Sequence, residues 1–300
     1  MKALCFGSLN IDLTYQVPHF LQPGETLASL SLQTFPGGKG LNQAVALARG
    51  GLDTWIAGAI GADGRFLMDI LEEAGVHTEQ LMLLKETRTG EAIIQRTPDG
   101  ENAILLYSGA NHCISEDMLR RALEPFGEGD LLLIQNEING VPDIIRAAHE
   151  KGMTVALNAS PVTEELLNLP KGQIDILLVN ETEAAQLLSM PAGADMEALL
   201  AGMETAYPEA HVVVTAGAAG AWVLRHGHRH FQPAVPVTAV DTTCAGDTFT
   251  GFYLGSIMRG ETAAEAARRA ALAAALCVTR DGASPSIPTQ AELAEAEAAG

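Results

Sequence analysis

Two carboxylates bracket a run of small residues, Asp241-Thr-Thr-Cys-Ala-Gly-Asp247, and this run offers the most readable chemistry in the chain. Ala245 and Gly246 come immediately before a predicted helix that continues through Phe249, Phe252, Tyr253 and Ile257. A glycine-containing turn that opens a helix leaves several backbone N–H groups unpaired and aimed at one point. Such a nest binds phosphate oxygens without any side-chain charge. Asp247 sits inside it. The plain reading of an Asp there is a helix cap. Beside a bound phosphate, the same carboxylate can take the proton of an attacking hydroxyl. Cys244 has no histidine near it in sequence and is read as one small residue among others, not as a nucleophile.

A second constellation lies near the amino end. An apolar strand, Ala3 to Phe6, breaks into Gly7-Ser8-Leu9-Asn10-Ile11-Asp12, and the carboxyl end of such a strand is where α/β proteins place ligands. Pro36-Gly-Gly-Lys-Gly40 then precedes a strong helix former, Leu41 to Arg49, closed by Gly50-Gly51. Three glycines flank Lys39, so the backbone beside it can approach a ligand closely. The phosphate loop Gly-x-x-x-x-Gly-Lys-Ser/Thr is absent. The run Gly58-Ala-Ile-Gly-Ala-Asp-Gly64 has the wrong spacing for a dinucleotide fingerprint. His226, His228 and His230 alternate, but Gly227 and basic neighbours mark the tip of a hairpin rather than a metal site.

These groups need a scaffold. Between residues 12 and 36 helical periodicity is missing, and segments such as Leu27 to Leu32 alternate as strands do. Ala92 to Tyr107 reads as a hairpin turning at Pro98-Asp-Gly100. The two β-rich segments, about 11–36 and 89–110, are expected to pair as a small sheet standing off one domain that spans residues 1–300. From residue 130, apolar strands at 131–134, 154–157, 174–179 and 211–215 alternate with helices such as Val141 to Lys151 and Glu181 to Leu188. An Ala-rich helix follows over 261–278, and another helix over Gln290 to Gly300. The fold class is α/β: a three-layer, mainly parallel sheet with helices on both faces, plus a small β-sheet lid.

A hydrophobic fraction of 47% with 18% charged residues fits a well-packed soluble globule. The balance of 18 basic and 37 acidic residues, −19 at pH 7, repels nucleic acid and anionic membranes. No stretch approaches the roughly 20 apolar residues that span a bilayer, and the amino terminus lacks signal-peptide architecture. Four scattered cysteines without a Cys-x-x-Cys pair suit reduced thiols in the cytoplasm.

Gly37-Gly-Lys-Gly-Leu-Asn-Gln-Ala-Val45 and Asp241-Thr-Thr-Cys-Ala-Gly-Asp247 resemble the two signatures of the ribokinase-like (PfkB) sugar kinases. Further matches run in order along the chain, from Gly7-Ser8-x-Asn10-x-Asp12 and Pro23-Gly-Glu-Thr26 through Gly109-Ala-Asn111, Gln135-x-Glu137 and Asn158-x-x-Pro161 to Asn180-Glu-Thr-Glu183 and Ala283-x-Pro-Ser286. The resemblance implies that Asp247 is the general base and that the N–H groups of Cys244, Ala245, Gly246 and Asp247 form the anion hole for the γ-phosphoryl group of ATP. It implies that Asn10, Asp12, Gly38, Lys39, Asn42 and Glu137 hold the sugar. Asn180, Thr215, Gly217 and Gly220 would meet the nucleotide, and Asn180 with Glu183 would hold Mg²⁺ through water. By the same resemblance, Asp241, Thr243, Cys277, Arg280, Gly282 and Ser286 would surround a K⁺ ion, several of them through backbone carbonyls.

The acceptor implied is the 5-hydroxyl of D-ribose, with another small sugar such as 2-deoxyribose as the alternative. A non-catalytic sugar-binding regulator would have lost the base or the nest, and both are present. The family's lid covers the sugar and often joins two protomers, so a homodimer through the small sheet is expected. Ala92, Ile94 and Leu106 would line that lid. Glu91 departs from the apolar residue expected at its place and is expected to face solvent.

Overall fold

The computed structural model describes residues 1–299. The chain folds as β1 (Ala3–Phe6), β2 (Asn10–Gln16), β3 (Ser31–Gly37), α1 (Lys39–Arg49), β4 (Thr54–Gly61), α2 (Phe66–Glu73), β5 (Val76–Leu84), β6 (Gly90–Arg96) and β7 (Asn102–Tyr107). It continues through α3 (Glu116–Leu123), β8 (Leu131–Gln135), α4 (Val141–Glu150), β9 (Thr154–Asn158), α5 (Glu164–Leu167), β10 (Ile176–Asn180), α6 (Glu181–Leu187), α7 (Met196–Ala206) and β11 (His211–Thr215). The carboxyl part adds β12 (Gly220–Arg225), β13 (His228–Pro233), α8 (Ala245–Met258), α9 (Ala263–Val278) and α10 (Gln290–Ala299).

Nine strands form one sheet in the order β13-β12-β11-β10-β9-β8-β1-β4-β5. From β5 to β11 every neighbour is parallel, whereas β12 and β13 close that end as an antiparallel hairpin. The period of two sorts each strand between layers. Ala3 and Cys5 face the core shared with α1, α8 and α9, while Leu4 and Phe6 face the core built with α3, α4, α6 and α7. Burial on both faces explains the continuous apolar runs of these strands.

Chain order reverses beside β1: β4 lies on one side and β8 on the other. Their carboxyl ends therefore splay apart and leave a crevice. Ser8 to Asp12 follow β1 into that crevice, and Asn136 and Glu137 follow β8.

The small sheet has the order β3-β2-β6-β7, with β2 pairing β6 in parallel from Asn10↔Gly90 to Gln16↔Arg96. The expected pairing of the two β-rich segments is thus present. The strand expected from Leu27 begins only at Ser31, because β3 extends as far as its partner β2 does. His226 and Gly227 both adopt positive φ, 49° and 76°, and form the turn between β12 and β13. Of the three histidines expected at this tip, only His226 is in the turn, whereas His228 and His230 lie on β13 and His230 Nε2 is buried.

Candidate active site

Asp247 stands in the first turn of α8, which is seated against α1. The approach is close because Gly251 packs against Ala46, where a Cβ on residue 251 would collide with Ala46 backbone and side chain. Two amides of α1 then reach the carboxylate. Asn42 Nδ2 donates to Asp247 Oδ2 at 3.0 Å, and Gln43 Nε2 donates to Oδ1 at 2.8 Å. Gln43 is itself oriented by Gln135 of β8, whose Nε2 donates to Gln43 Oε1 at 2.6 Å. A relay of amides across three elements therefore fixes the carboxylate.

The turn before α8 carries three of the four free N–H groups expected there, Ala245 being the exception. Cys244 is its N-cap, with a left-handed φ of 67°. The Ala245 N–H is bound to Thr242 O at 3.3 Å. The N–H groups of Cys244, Gly246 and Asp247 donate to no described residue. A Cβ on Gly246 would meet nothing within 4 Å. Open space, three free donors and an oriented carboxylate thus occupy one turn. Cys244 is buried, and burial raises its thiol pKa well above the ordinary value, which removes it as a nucleophile.

Across the crevice, Asn111 pins the chain leaving β1: its Oδ1 accepts from Leu9 N at 3.0 Å and its Nδ2 donates to Asn10 Oδ1 at 2.8 Å. Gly38 has a φ of 90°, which side chains resist, and its place lets α1 begin against Ser8. Glu137 accepts from Ser8 Oγ and from Lys39 N, so one carboxylate ties β1, β8 and α1 together. Asp12 Oδ1 and Asn42 Oδ1 are buried and have no hydrogen-bond partner. Orphaned buried acceptors are rare, and these two face a cleft of about 720 Å³ that Asn10, Gly38, Lys39, Glu137 and Asp247 also line. All six predicted sugar-side residues are thus brought together around it. Such acceptors call for a ligand that donates hydroxyl protons.

Burial, with Glu137 adding to it, pushes the Asp12 carboxyl from 3.8 up to about 7. The folded protein holds this proton more tightly than the unfolded chain. Stability is therefore lost as pH rises from about 4 to about 7. Asp12→Asn is expected to raise thermal stability at pH 8, by on the order of 2–4 kcal/mol, and to change little at pH 4. A gain of equal size at both values would contradict this account. Burial lowers the Lys39 pKa, but Asp247, Glu137 and Glu183 more than offset it, so the ammonium stays protonated.

A second cleft of about 510 Å³ shares Ala239 and Thr242 with the first. Thr215, Gly217 and Gly220 line it, together with Val235-Pro236-Val237 and the α9 residues Ala271, Ala274 and Ala275. Sequence reading missed the last two groups, although 271, 274, 275 and 278 follow a helical face. Gly246 also opens into this cleft. Asn180 lies outside it, at the end of β10. Asn180 and Glu183 form a capping box: Asn180 Oδ1 accepts from Glu183 N at 2.8 Å and Glu183 Oε2 from Asn180 N at 2.9 Å. Neither residue lines either cleft, although Glu183 is among the charges that raise the Lys39 pKa.

Asp241 accepts from Thr243 N at 2.9 Å and from Gly282 N at 3.3 Å. Cys277 Sγ lies 3.0 Å from Ser286 Oγ and 3.9 Å from Thr243 O. Five of the six predicted cation-site residues therefore converge through these contacts. The Arg280 guanidinium is committed to Glu292 at 2.7 Å, which leaves only its backbone for such a role.

Glu91 departs from expectation. It lies on the far face of β6 from the cleft, and it is paired with Arg88 at 2.9 Å with only 13% of its side chain exposed. It therefore faces an arginine rather than open solvent.

A fold with its ligand crevice at a switch point, an anion nest and a carboxylate beside a polyol-binding wall belongs to a phosphoryl-transfer enzyme. The chain is a member of the pfkB family of carbohydrate kinases, which it matches over residues 1–290. It is 37% identical to the ribokinase of Haemophilus influenzae, over 96% of each chain. The Cryptococcus neoformans ribokinase solved with ADP superposes with a TM-score of 0.87 at 32% identity, covering 98% of this chain and 99% of that one. The Arabidopsis thaliana ribokinase solved with ribose and ATP gives 0.85 at 31% identity, covering 98% and 97%.

Proposed function

We propose that this carbohydrate kinase transfers the γ-phosphoryl group of ATP to the 5-hydroxyl of D-ribose, giving ribose 5-phosphate and ADP. The observation that carries the reading is the single turn holding three free amides beside the oriented Asp247. Asp247 takes the 5-hydroxyl proton as the sugar oxygen bonds to the γ-phosphorus. The bond from that phosphorus to the bridging oxygen breaks, and its electron pair leaves with ADP. Charge developing on the phosphoryl oxygens is met by the N–H groups of Cys244, Gly246 and Asp247. Asp12, Asn42, Asn10 and Glu137 orient the ring hydroxyls, which supports a small polyol over a larger acceptor. The apolar second cleft suits an adenine. ADP release measured over a panel of pentoses and nucleosides tests the assignment, and a higher kcat/KM for another acceptor would overturn ribose.

The cap uses Glu183 Oε2, which leaves Oε1 as a donor suited to Mg²⁺ retained through water. When bound with ATP, Mg²⁺ neutralises phosphate charge. The oxygen set of Asp241, the Thr243 carbonyl and Ser286 suits a hard monovalent cation. Potassium is expected to raise kcat several-fold over tetramethylammonium at equal ionic strength; equal rates would sink that role.

The small sheet acts in this reading as a lid that excludes water from the transfer. Its edge strand β7 leaves Leu105 67% and Tyr107 54% exposed, which supports pairing of two copies through the lid. No described helix is long and apolar enough to cross a membrane, and the four cysteines are free. Both fit a cytoplasmic enzyme.

A further inference from the structure

The main cleft carries five carboxylates against two cations, Lys39 and Arg96. Lys39 belongs to the body of the protein. Arg96 is the last residue of β6 and belongs to the small sheet. Its carbonyl accepts from Val17 N at 2.9 Å, but its guanidinium has no ion pair or hydrogen bond among the described residues. An arginine left unpaired in so acidic a cleft is notable, because its fork of donors is suited to bidentate oxyanions.

Strand register fixes where this cation points. Ala92, Ile94 and Arg96 share the cleft-facing side of β6, opposite Asp12, Thr14 and Gln16 of β2. Arg96 therefore stands four residues, about 13 Å, beyond the register of Asp12. The inner face changes along that length. At the sugar end Asp12 stands among Phe35, Ala92 and Leu106, Ile94 and Ile104 then lie beside Thr14 and Gln33, and the tip is polar throughout at Gln16, Arg96 and Asn102. Opposite this tip lie Asp241 to Cys244 and Gly282, the segment that leads into the nest. The Arg96 charge is felt there, since it helps to lower the Asp241 pKa.

We propose that Arg96 is a catalytic residue carried by the lid, whose guanidinium contacts the β- and γ-phosphates of ATP when the small sheet closes. The inference rests on the kinase reading above and assigns the lid a part in the chemistry. As the sugar oxygen bonds to the γ-phosphorus and the bridging bond breaks, the guanidinium meets charge on the side that the nest does not reach. ADP lacks the γ-phosphate and holds this contact less well, so phosphoryl transfer itself loosens the lid.

The test compares wild type with Arg96→Ala and Arg96→Lys in the full chain, with ribose and Mg²⁺ present. Arg96→Ala is expected to lower kcat by about 10²-fold, with partial rescue by added guanidinium; Arg96→Lys should fall between. The wild type should bind the β,γ-imido analogue of ATP more tightly than ADP, and Arg96→Ala should lose that preference. An Arg96→Ala enzyme that turns over like the wild type overturns the proposal, as does a fall in affinity for both nucleotides with their ratio intact. If the Ala variant melts early, Arg96→Lys decides on the same two readouts. A wild type that releases ADP with no sugar would instead sink the kinase reading beneath it.

Discussion

Asp247→Asn is expected to lower kcat by about 10³-fold while leaving nucleotide affinity nearly unchanged. The carboxylate is the one group in the nest able to accept a proton, and an amide of the same shape cannot. The substitution is also structurally mild, for a reason visible in the network around it. Asp247 accepts from Asn42 Nδ2 and Gln43 Nε2. Gln43 cannot turn over, because its Oε1 already accepts from Gln135. Asn42 can, because its own Oδ1 is buried and unpartnered. Rotating that amide presents Oδ1 to the new side-chain NH₂ and keeps both hydrogen bonds. Thermal stability should therefore change by no more than about 1 kcal/mol. Binding of sugar and of the ATP analogue, measured by calorimetry, separates the two effects. A variant that binds both and turns over like the wild type would remove Asp247 as the base.

How much of this was legible beforehand depends on the length scale of each signal. The nest was readable because Ala245-Gly246 and the following apolar positions lie within one short stretch. The small sheet was readable because the alternation over Ala92 to Tyr107 and the turn at Pro98-Asp-Gly100 are local. The relay from Gln135 through Gln43 to Asp247 spans three elements that meet only in the fold, and nothing local marks Gln43 as polar core. Arg96 escaped for a related cause. Its meaning comes from the register with Gln16 and from the segment across the cleft, and both are tertiary facts. Asn180 and Glu183 show the converse. Their spacing allowed both a cap and a cation site, and the cap is present. The strand expected from Leu27 failed because alternation alone does not say where a partner begins. β3 starts at Ser31, opposite Gln16, where β2 ends.

Two glycines of the same helix separate packing from function. Gly251→Ala would drive a methyl into Ala46 and force α1 and α8 apart. It is expected to destabilise by about 1–3 kcal/mol and to disturb the Asn42 and Gln43 contacts with Asp247. Gly246→Ala meets no protein atom within 4 Å. It also replaces glycine by the best helix former in the first turn of α8, which favours the folded state by up to about 1 kcal/mol. Without a phosphate in the nest, the variant should be as stable as wild type or more so. With one, the methyl stands in the open space where Gly246 lines the second cleft, beside the free N–H groups of Cys244, Gly246 and Asp247. Lost alignment of those donors is expected to cost about 10²-fold in kcat, with little change in sugar affinity. A more stable protein with a slower reaction is the mark of a residue kept small for a ligand rather than for the fold. Unchanged turnover in Gly246→Ala would mean that the phosphoryl group does not sit on this turn.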